Sequence, residues 1–286
     1  MKNYLNLGCG SVFSPNWINL DFVPVSEQVR RWDIRKDLPF ADNSVDVCYS
    51  SHVIEHLTPA AAQKLLIECM RVLKPDGIIR LVVPDLEAIA LNYLSTLERS
   101  RSGDIEAQAN YDWTMLELFD QAVREFSGGE MSKYLLGSDL PNREFILSRI
   151  GCEAEGLWER QRENLSIQSS LFDKLRSKNL SWLVQKLRIA IAKFLVFVVA
   201  GKEAAKAFEI GLFRNSGEVH QWMYDSFSLA RLLGAGGFVD IKTCQAHESR
   251  IPDFNSYELD IIDGKVRKPD SIFMEACKPS LLIQTN

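Results

Sequence analysis

Several things are scarce in this 286-residue chain, and each scarcity argues against a class of function. Its six cysteines stand at positions 9, 48, 69, 152, 244 and 277, with no CxxC pair and no zinc-ligand spacing. No metal site is expected from that pattern. Cys48, Cys69, Cys244 and Cys277 lie in apolar runs, where a free thiol behaves as a small hydrophobe. They are expected to be buried and reduced, as in a cytoplasmic protein. Positive charge is also in deficit: 33 Lys and Arg face 38 Asp and Glu, a net charge of −5. Proteins that hold nucleic acid usually carry a basic surface, so no such partner is indicated. The apolar run Phe194-Leu-Val-Phe-Val-Val-Ala200 falls far short of the ~20 residues that span a bilayer. The N-terminus opens directly into a strand-like run, and no signal peptide is expected.

A third glycine is missing where one class of enzyme needs it. The segment Asn3-Tyr-Leu-Asn-Leu-Gly-Cys-Gly10 reads as a short buried strand breaking into a glycine turn. Glycine there permits positive φ and close approach of a ligand to the backbone. A second strand-like run, Trp17-Ile-Asn-Leu-Asp21, ends in an acid. A glycine turn after one strand and an acid ending the next is how open α/β sheets hold adenosine-containing ligands. The nicotinamide fingerprint, however, requires GxGxxG, and its third position here is Phe13. Its acid should lie roughly 20 residues past the glycines, and Asp21 comes too soon.

These residues resemble the class I S-adenosylmethionine-dependent methyltransferases, specifically the methyltransferase type 11 group. Asp33-Ile34 is similar to that family's adenine-contacting acid and its apolar neighbour. The stretch Leu38-Pro-Phe through Ser51 is similar to its entry into strand four. Then come His52-Val-Ile-Glu-His56, a helix ending Arg71-Val-Leu-Lys-Pro-Asp-Gly77, and a strand from Ile78 to Pro84. The resemblance is close over residues 1–85 and loose over the last 65 or so. His220-Gln-Trp-Met-Tyr224 is similar to members associated with polysaccharide biosynthesis. The resemblance implies an α/β Rossmann-like sheet of seven strands in the order 3-2-1-4-5-7-6, the last antiparallel. It implies S-adenosyl-L-methionine as cofactor, held at Leu7, Gly8, Cys9, Gly10, Asp21, Phe22, Asp33, Ile34, Ser51 and His52. The acceptor it implies is a hydroxyl, or an amine as the lesser alternative, on a sugar, glycan or other small polar molecule.

One departure is visible. Nine residues separate Gly8 from strand two, whereas a parallel crossover normally takes a dozen or more. The first crossover helix is expected to be missing or cut to a turn.

At 286 residues the chain exceeds the ~250 at which single cores stop growing. The core is expected from residues 1–85 and 218–286, interrupted by a helical insertion at 86–217 that serves as a lid or acceptor-binding subdomain. In the insertion, Leu86, Ile89, Ala90, Tyr93, Leu94 and Leu97 trace one apolar stripe. Trp113, Leu116, Phe119, Ala122, Val123 and Phe126 trace another. Residues 171–206 carry eight Lys or Arg against Asp173 and Glu203, a local charge of +6. Such a helix either lies peripherally on an anionic membrane surface or is buried against the rest of the insertion, with its charge as a solvated face.

Candidate bases for a hydroxyl acceptor are His52 at the mouth of strand four, His220 where the chain returns from the insertion, and Asp85 after strand five. Asp85 could equally cap the next helix. His56 reads as structural, and His247 carries no signal. Two other readings stay open: an inactive cofactor-binding scaffold, and a methyltransferase for a lipid or lipid-linked glycan.

Overall fold

The computed structural model describes residues 2–137, 139–166 and 180–280. Its strands are β1 (Tyr4–Leu7), β2 (Ile18–Asp21), β3 (Val29–Arg31), β4 (Val45–Ser51), β5 (Leu73–Pro84), β6 (Val239–Cys244), β7 (Ile261–Ile262), β8 (Lys265–Val266) and β9 (Ser271–Cys277). Seven form one sheet in the order β3-β2-β1-β4-β5-β9-β6, and β7 and β8 make a small separate ribbon. Leaving the ribbon out, the order is the expected 3-2-1-4-5-7-6. β9 runs antiparallel to both neighbours, and the remaining pairs are parallel. This is the Rossmann-like methyltransferase sheet.

The shortened first crossover is present. No helix occurs between β1 and β2, only turns closed by Val12 N–H to the Cys9 carbonyl and Trp17 N–H to the Ser14 carbonyl. The Gly8 and Cys9 amides both donate to the Leu20 carbonyl, which folds the loop back onto β2.

The two sheet faces are covered differently. On one, α1 (Pro59–Val72) packs Leu65, Leu66 and Cys69 onto Leu5, Leu7 and Leu20. Its start follows from local sequence: Pro59 fits the first helical position, and the Thr58 hydroxyl accepts from the Ala61 amide. The other face is covered mainly by loop. Tyr4, Trp17 and Tyr49 on the sheet meet Phe254 and Tyr257 in edge-on or tilted aromatic contacts. Beneath them Arg80 of β5, fully buried, donates to Asp260 and Glu275 at 2.8 Å each and to the carbonyls of Ala246 and Glu248. The Tyr49 hydroxyl donates to Asp260 at 2.6 Å. A polar knot does here what a helix usually does: it ties chain to the sheet.

After β5 the described chain enters six helices: α2 (Leu86–Arg101), α3 (Ile105–Val123), α4 (Gly129–Leu135), α5 (Arg143–Ile150), α6 (Cys152–Ser166) and α7 (Leu180–Arg214). Trp113, Met131, Leu135, Ile146, Ile150 and Trp158 give α3–α6 a small core of their own. The expected apolar stripes are only partly used. Leu94, Phe119, Val123 and Phe126 are exposed, whereas Glu117 and Asp120 are buried. The carboxylates can go inside because each is paired. Arg149 donates to Glu117, and Arg124 and the Glu130 amide donate to Asp120. Apolar periodicity does not see such pairing.

α7 breaks at Gly201 (φ 83°, ψ −176°) into two arms. Lys193 on the first pairs with Glu209 on the second, so the arms run back along each other. Within the basic stretch, residues 171–179, with Lys174, Arg176, Lys178 and Asp173, lie outside the described residues. Finally α8 (Ser226–Ala235), opened by an Asp225–Ser228 capping box, buries Leu229 and Leu233 on the α1 face and leads into β6.

Candidate functional site

A cavity of about 470 Å³ opens at the carboxyl ends of β1 and β4, a volume in the range that holds a small ligand. Its floor is the glycine turn with Ser51 and His52; its roof is contributed by α3–α6, including Gln121, Met131 and Glu153.

The turn is built by its glycines. Gly8 (φ +65°) has no room for a side chain, because a Cβ would stand 2.5 Å from Val53. Gly10 (φ +54°) differs: open space lies where its Cβ would point. That is where a ligand can come close to the backbone. Asp21 organises both ends of this corner. One carboxylate oxygen accepts from the Gly10 amide and the other from the Val23 amide, each at 2.8 Å. Each oxygen keeps acceptor capacity for a further donor.

The other expected contacts separate into groups. Gly8, Cys9, Gly10, Ser51 and His52 line the cavity. The Cys9 thiol is pushed up to about 12 by burial and by the charge of Asp21, so it is inert. Leu7 lies with its side chain in the core and offers a ligand only backbone. Asp33 holds Arg35 through both carboxylate oxygens, at 2.8 and 2.9 Å, outside the cavity. Ile34 packs half-buried against the main core. Phe22 is about half exposed, with the guanidinium groups of Arg31 and Arg35 each 5.7 Å from its ring centre.

His52 has φ +54°, uncommon for a non-glycine residue and found chiefly where surroundings hold it. Its Nε2 is 2.8 Å from the Ser271 hydroxyl, and its Nδ1 is 3.4 Å from Glu55. Burial, with Lys268 and Arg267 nearby, holds it well below the ordinary imidazole range. His220 is brought in by backbone bonding: the Glu55 carbonyl accepts from the Gln221 and Trp222 amides, and His220 N–H donates to the Gln121 carbonyl. Its ring meets His56 edge-on, centres 4.7 Å apart. Burial pushes His56 down to about 4 and His220 further still, so both are neutral at pH 7. Tyr224 is buried, its hydroxyl without a hydrogen-bond partner.

Asp85 does not join them. It caps α2, accepting from the Glu87 and Ala88 amides, and borders a separate hollow. His52 and His220 therefore share the cavity, and Asp85 is occupied elsewhere.

Sequence reasoning missed several cavity residues. Asp270 is pushed up to about 6 by burial, partly offset by Lys268. Arg267 donates to the Ser51 hydroxyl at 2.6 Å, and Lys268 pairs with Glu153 of α6 at 2.5 Å. These residues sit just before β9, and no motif marks them. Glu55 lies inside a quoted segment, yet its complete burial follows only from the return of residues 220–222 across it.

Residues 5–81 match the family described as a methyltransferase domain, 77 of the 286 residues. The matched span holds the glycine turn, Asp21, Asp33 and Glu55-His56. A search of curated proteins finds no match. Among solved structures the chain is similar to the YcgJ protein from Bacillus subtilis, at 24% identity over 34% of this chain and 51% of that one, with a TM-score of 0.26. It is also similar to an S-adenosylmethionine-dependent methyltransferase from Mesorhizobium loti, at 18% identity over 32% and 49%, TM-score 0.24. A SAM-dependent methyltransferase from Archaeoglobus fulgidus aligns at 12% identity over 97% and 86%, TM-score 0.38. The chain spans about half the length of the first two of these proteins.

Proposed function

We propose that this chain is an S-adenosylmethionine-dependent methyltransferase that methylates a hydroxyl, in preference to an amine, on a sugar, glycan or other small polar acceptor. One observation carries the reading. The positive-φ turn of Gly8 and Gly10, tied to Asp21, stands at the carboxyl end of β1 in a sheet of methyltransferase order and faces a ligand-sized cavity. Open space beyond Gly10 fits close approach by the cofactor. Gly8, Cys9, Gly10 and Ser51 would line its path, the remaining lone pairs of Asp21 would take ribose hydroxyls, and Phe22 would offer an apolar face. The cofactor supplies an activated methyl group. The chain aligns the acceptor, and holding reactants in near-attack geometry is worth as much as ~7–11 kcal/mol. Gln121, Arg124, Glu153, Glu218, Lys268 and Asp270 give the cavity a polar lining, which favours a polar acceptor.

Titration calorimetry should show heat on addition of S-adenosylmethionine and of S-adenosylhomocysteine, and either should raise the melting temperature. Asp21→Ala should weaken both by about tenfold or more, since it releases the loop hydrogen bonds and removes a ribose acceptor. Gly8→Val should do the same, through collision with Val53 and strain at positive φ. Absence of heat with both ligands, alongside binding of NAD, would overturn the reading. Ligand binding without S-adenosylhomocysteine formation from S-adenosylmethionine with any acceptor extract would identify a scaffold instead.

A second reading of the acceptor is favoured by α7. Phe194, Leu195, Phe197, Val198 and Val199 are exposed around the Gly201 bend, Val199 to 85%, and Lys193, Lys202 and Lys206 lie on the same arms. No helix among the described residues is long and apolar enough to cross a membrane. A basic hairpin with an apolar tip suits the surface of an anionic bilayer, where a lipid-linked acceptor would lie. Sedimentation with phosphatidylglycerol vesicles should carry the protein down at low salt and less at high salt. Val198→Asp with Val199→Asp should leave it in the supernatant. Equal sedimentation of parent and double variant would remove this version of the acceptor.

A further inference from the structure

We propose that Glu55, His56 and His220 form a binding site for a first-row divalent metal ion, with its open coordination position facing the cavity. Donor atoms of the three side chains lie within 4.8 Å of one another. Ligands held ~2.0–2.2 Å from one ion stand roughly 3.0–3.5 Å apart, so the widest pair closes by at most ~1.3–1.8 Å on binding.

The cluster is unfinished as a set of hydrogen bonds. Glu55 is fully buried, and neither carboxylate oxygen has a hydrogen-bond partner. Its nearest ring nitrogens are His52 Nδ1 at 3.4 Å and His56 Nε2 at 4.0 Å, and a positive charge beside the carboxylate would remove the cost of its burial. The Val219 backbone is hydrogen-bonded to the His56 ring, whose Nε2 lies 4.0 Å from Glu55, whereas its buried Nδ1 has no partner. An imidazole anchored on a carbonyl at one edge and open at the other is the usual arrangement of a metal-binding histidine. On His220 the nearest group to Nδ1 is the thioether of Met223 at 3.3 Å, a weak acceptor.

The donor set selects the ion. Two imidazoles and one carboxylate suit zinc, iron(II), cobalt(II) or nickel(II), and offer too few oxygens for calcium or magnesium. The placement selects the geometry: His56 and His220 border the cavity, while Glu55 lies behind them. Three protein ligands with one side open is the form of a catalytic rather than a structural site. An acceptor oxygen could take that position and lose its proton more readily; this last role rests on the methyltransferase reading, and the site itself does not.

The test uses the full chain, stripped with chelator and checked for folding by circular dichroism. Cobalt(II) should bind at one equivalent, with visible absorption bands of four- or five-fold coordination, and zinc should displace it. Glu55→Gln and His220→Asn should each weaken binding tenfold or more, while His247→Ala, outside the cluster, should bind as the parent does. S-adenosylhomocysteine calorimetry on the same samples keeps the two conclusions separate. If the parent takes up no cobalt or zinc at millimolar concentration but binds S-adenosylhomocysteine, the metal site is wrong and the methyltransferase reading stands. Undiminished cobalt binding in both cluster variants would likewise overturn the site.

Discussion

Arg80→Met should destabilise the fold by about 3–5 kcal/mol, because it leaves the buried Asp260 carboxylate without its cation and takes one of two guanidinium groups from buried Glu275. Arg80 also satisfies two loop carbonyls, whereas Arg250 stays on Glu275 and the Tyr49 hydroxyl on Asp260. Burial by itself would raise Glu275, yet the Ser249 hydroxyl, the Arg250 amide and Arg80 together hold it below the ordinary carboxylate range. The loss amounts to a large share of the 5–15 kcal/mol by which domains are stable. It should appear as a melting temperature lowered by roughly 10 °C, or as insoluble protein. Adding Asp260→Asn, which removes the charge left without a cation, should recover part of the loss. A denaturant midpoint for Arg80→Met within 1 kcal/mol of the parent would show that the aromatic layer of Trp17, Tyr49 and Phe254 holds this face without the knot.

The second large effect concerns turnover. If the acceptor is a hydroxyl, a base that takes its proton contributes typically 10²–10⁴-fold. Asp270 fits that task better than the histidines. His52 has its Nε2 engaged by Ser271, and His220 is pushed far down, which makes it a weak base. Asp270 lines the cavity with its carboxyl raised to about 6, by burial first and by Glu117 and Glu153, against the lowering pull of Lys268 and Arg149. A base acts when deprotonated. S-adenosylhomocysteine release should therefore fall as pH drops through about 6 and stay level above it. Asp270→Asn should lower kcat by about 10²-fold or more and abolish that limb, with cofactor affinity nearly intact. His52→Ala and His220→Ala should lower it less. Asp85→Asn should leave turnover near the parent's, because Asp85 is spent on its helix cap. An unchanged acid limb in Asp270→Asn, or turnover above a tenth of the parent's, would exclude Asp270 as the base.

Much of this was legible in the chain, for local reasons. The glycine turn, Asp21, the Thr58-Pro59 helix start and the capped α8 depend on residues close in sequence, so their signals survive without an alignment. β1 and the Ile78–Pro84 part of β5 read as largely apolar runs because both faces are mostly buried, and nine residues were visibly too few for a crossover helix. The helical character of the insertion was also readable, whereas its faces were not. Glu117 and Asp120 turn inward because Arg149, Arg124 and the Glu130 amide meet them.

The sequence by itself determined the strand-and-turn corner where a ligand meets β1, since hydrophobic period and turn chemistry act within a few residues; the sheet and its order were implied by the family resemblance, not by that patterning. Only the tertiary structure decided which polar side chains share the cavity. Glu55 and His220 meet because backbone amides of residues 221 and 222 bond the Glu55 carbonyl. Lys268 and Asp270 arrive on the turn into β9, and Arg80 is buried because distant loops bring it two acids. A charged residue inside is costly unless a partner comes with it, and partners from distant segments leave no periodic trace in the chain.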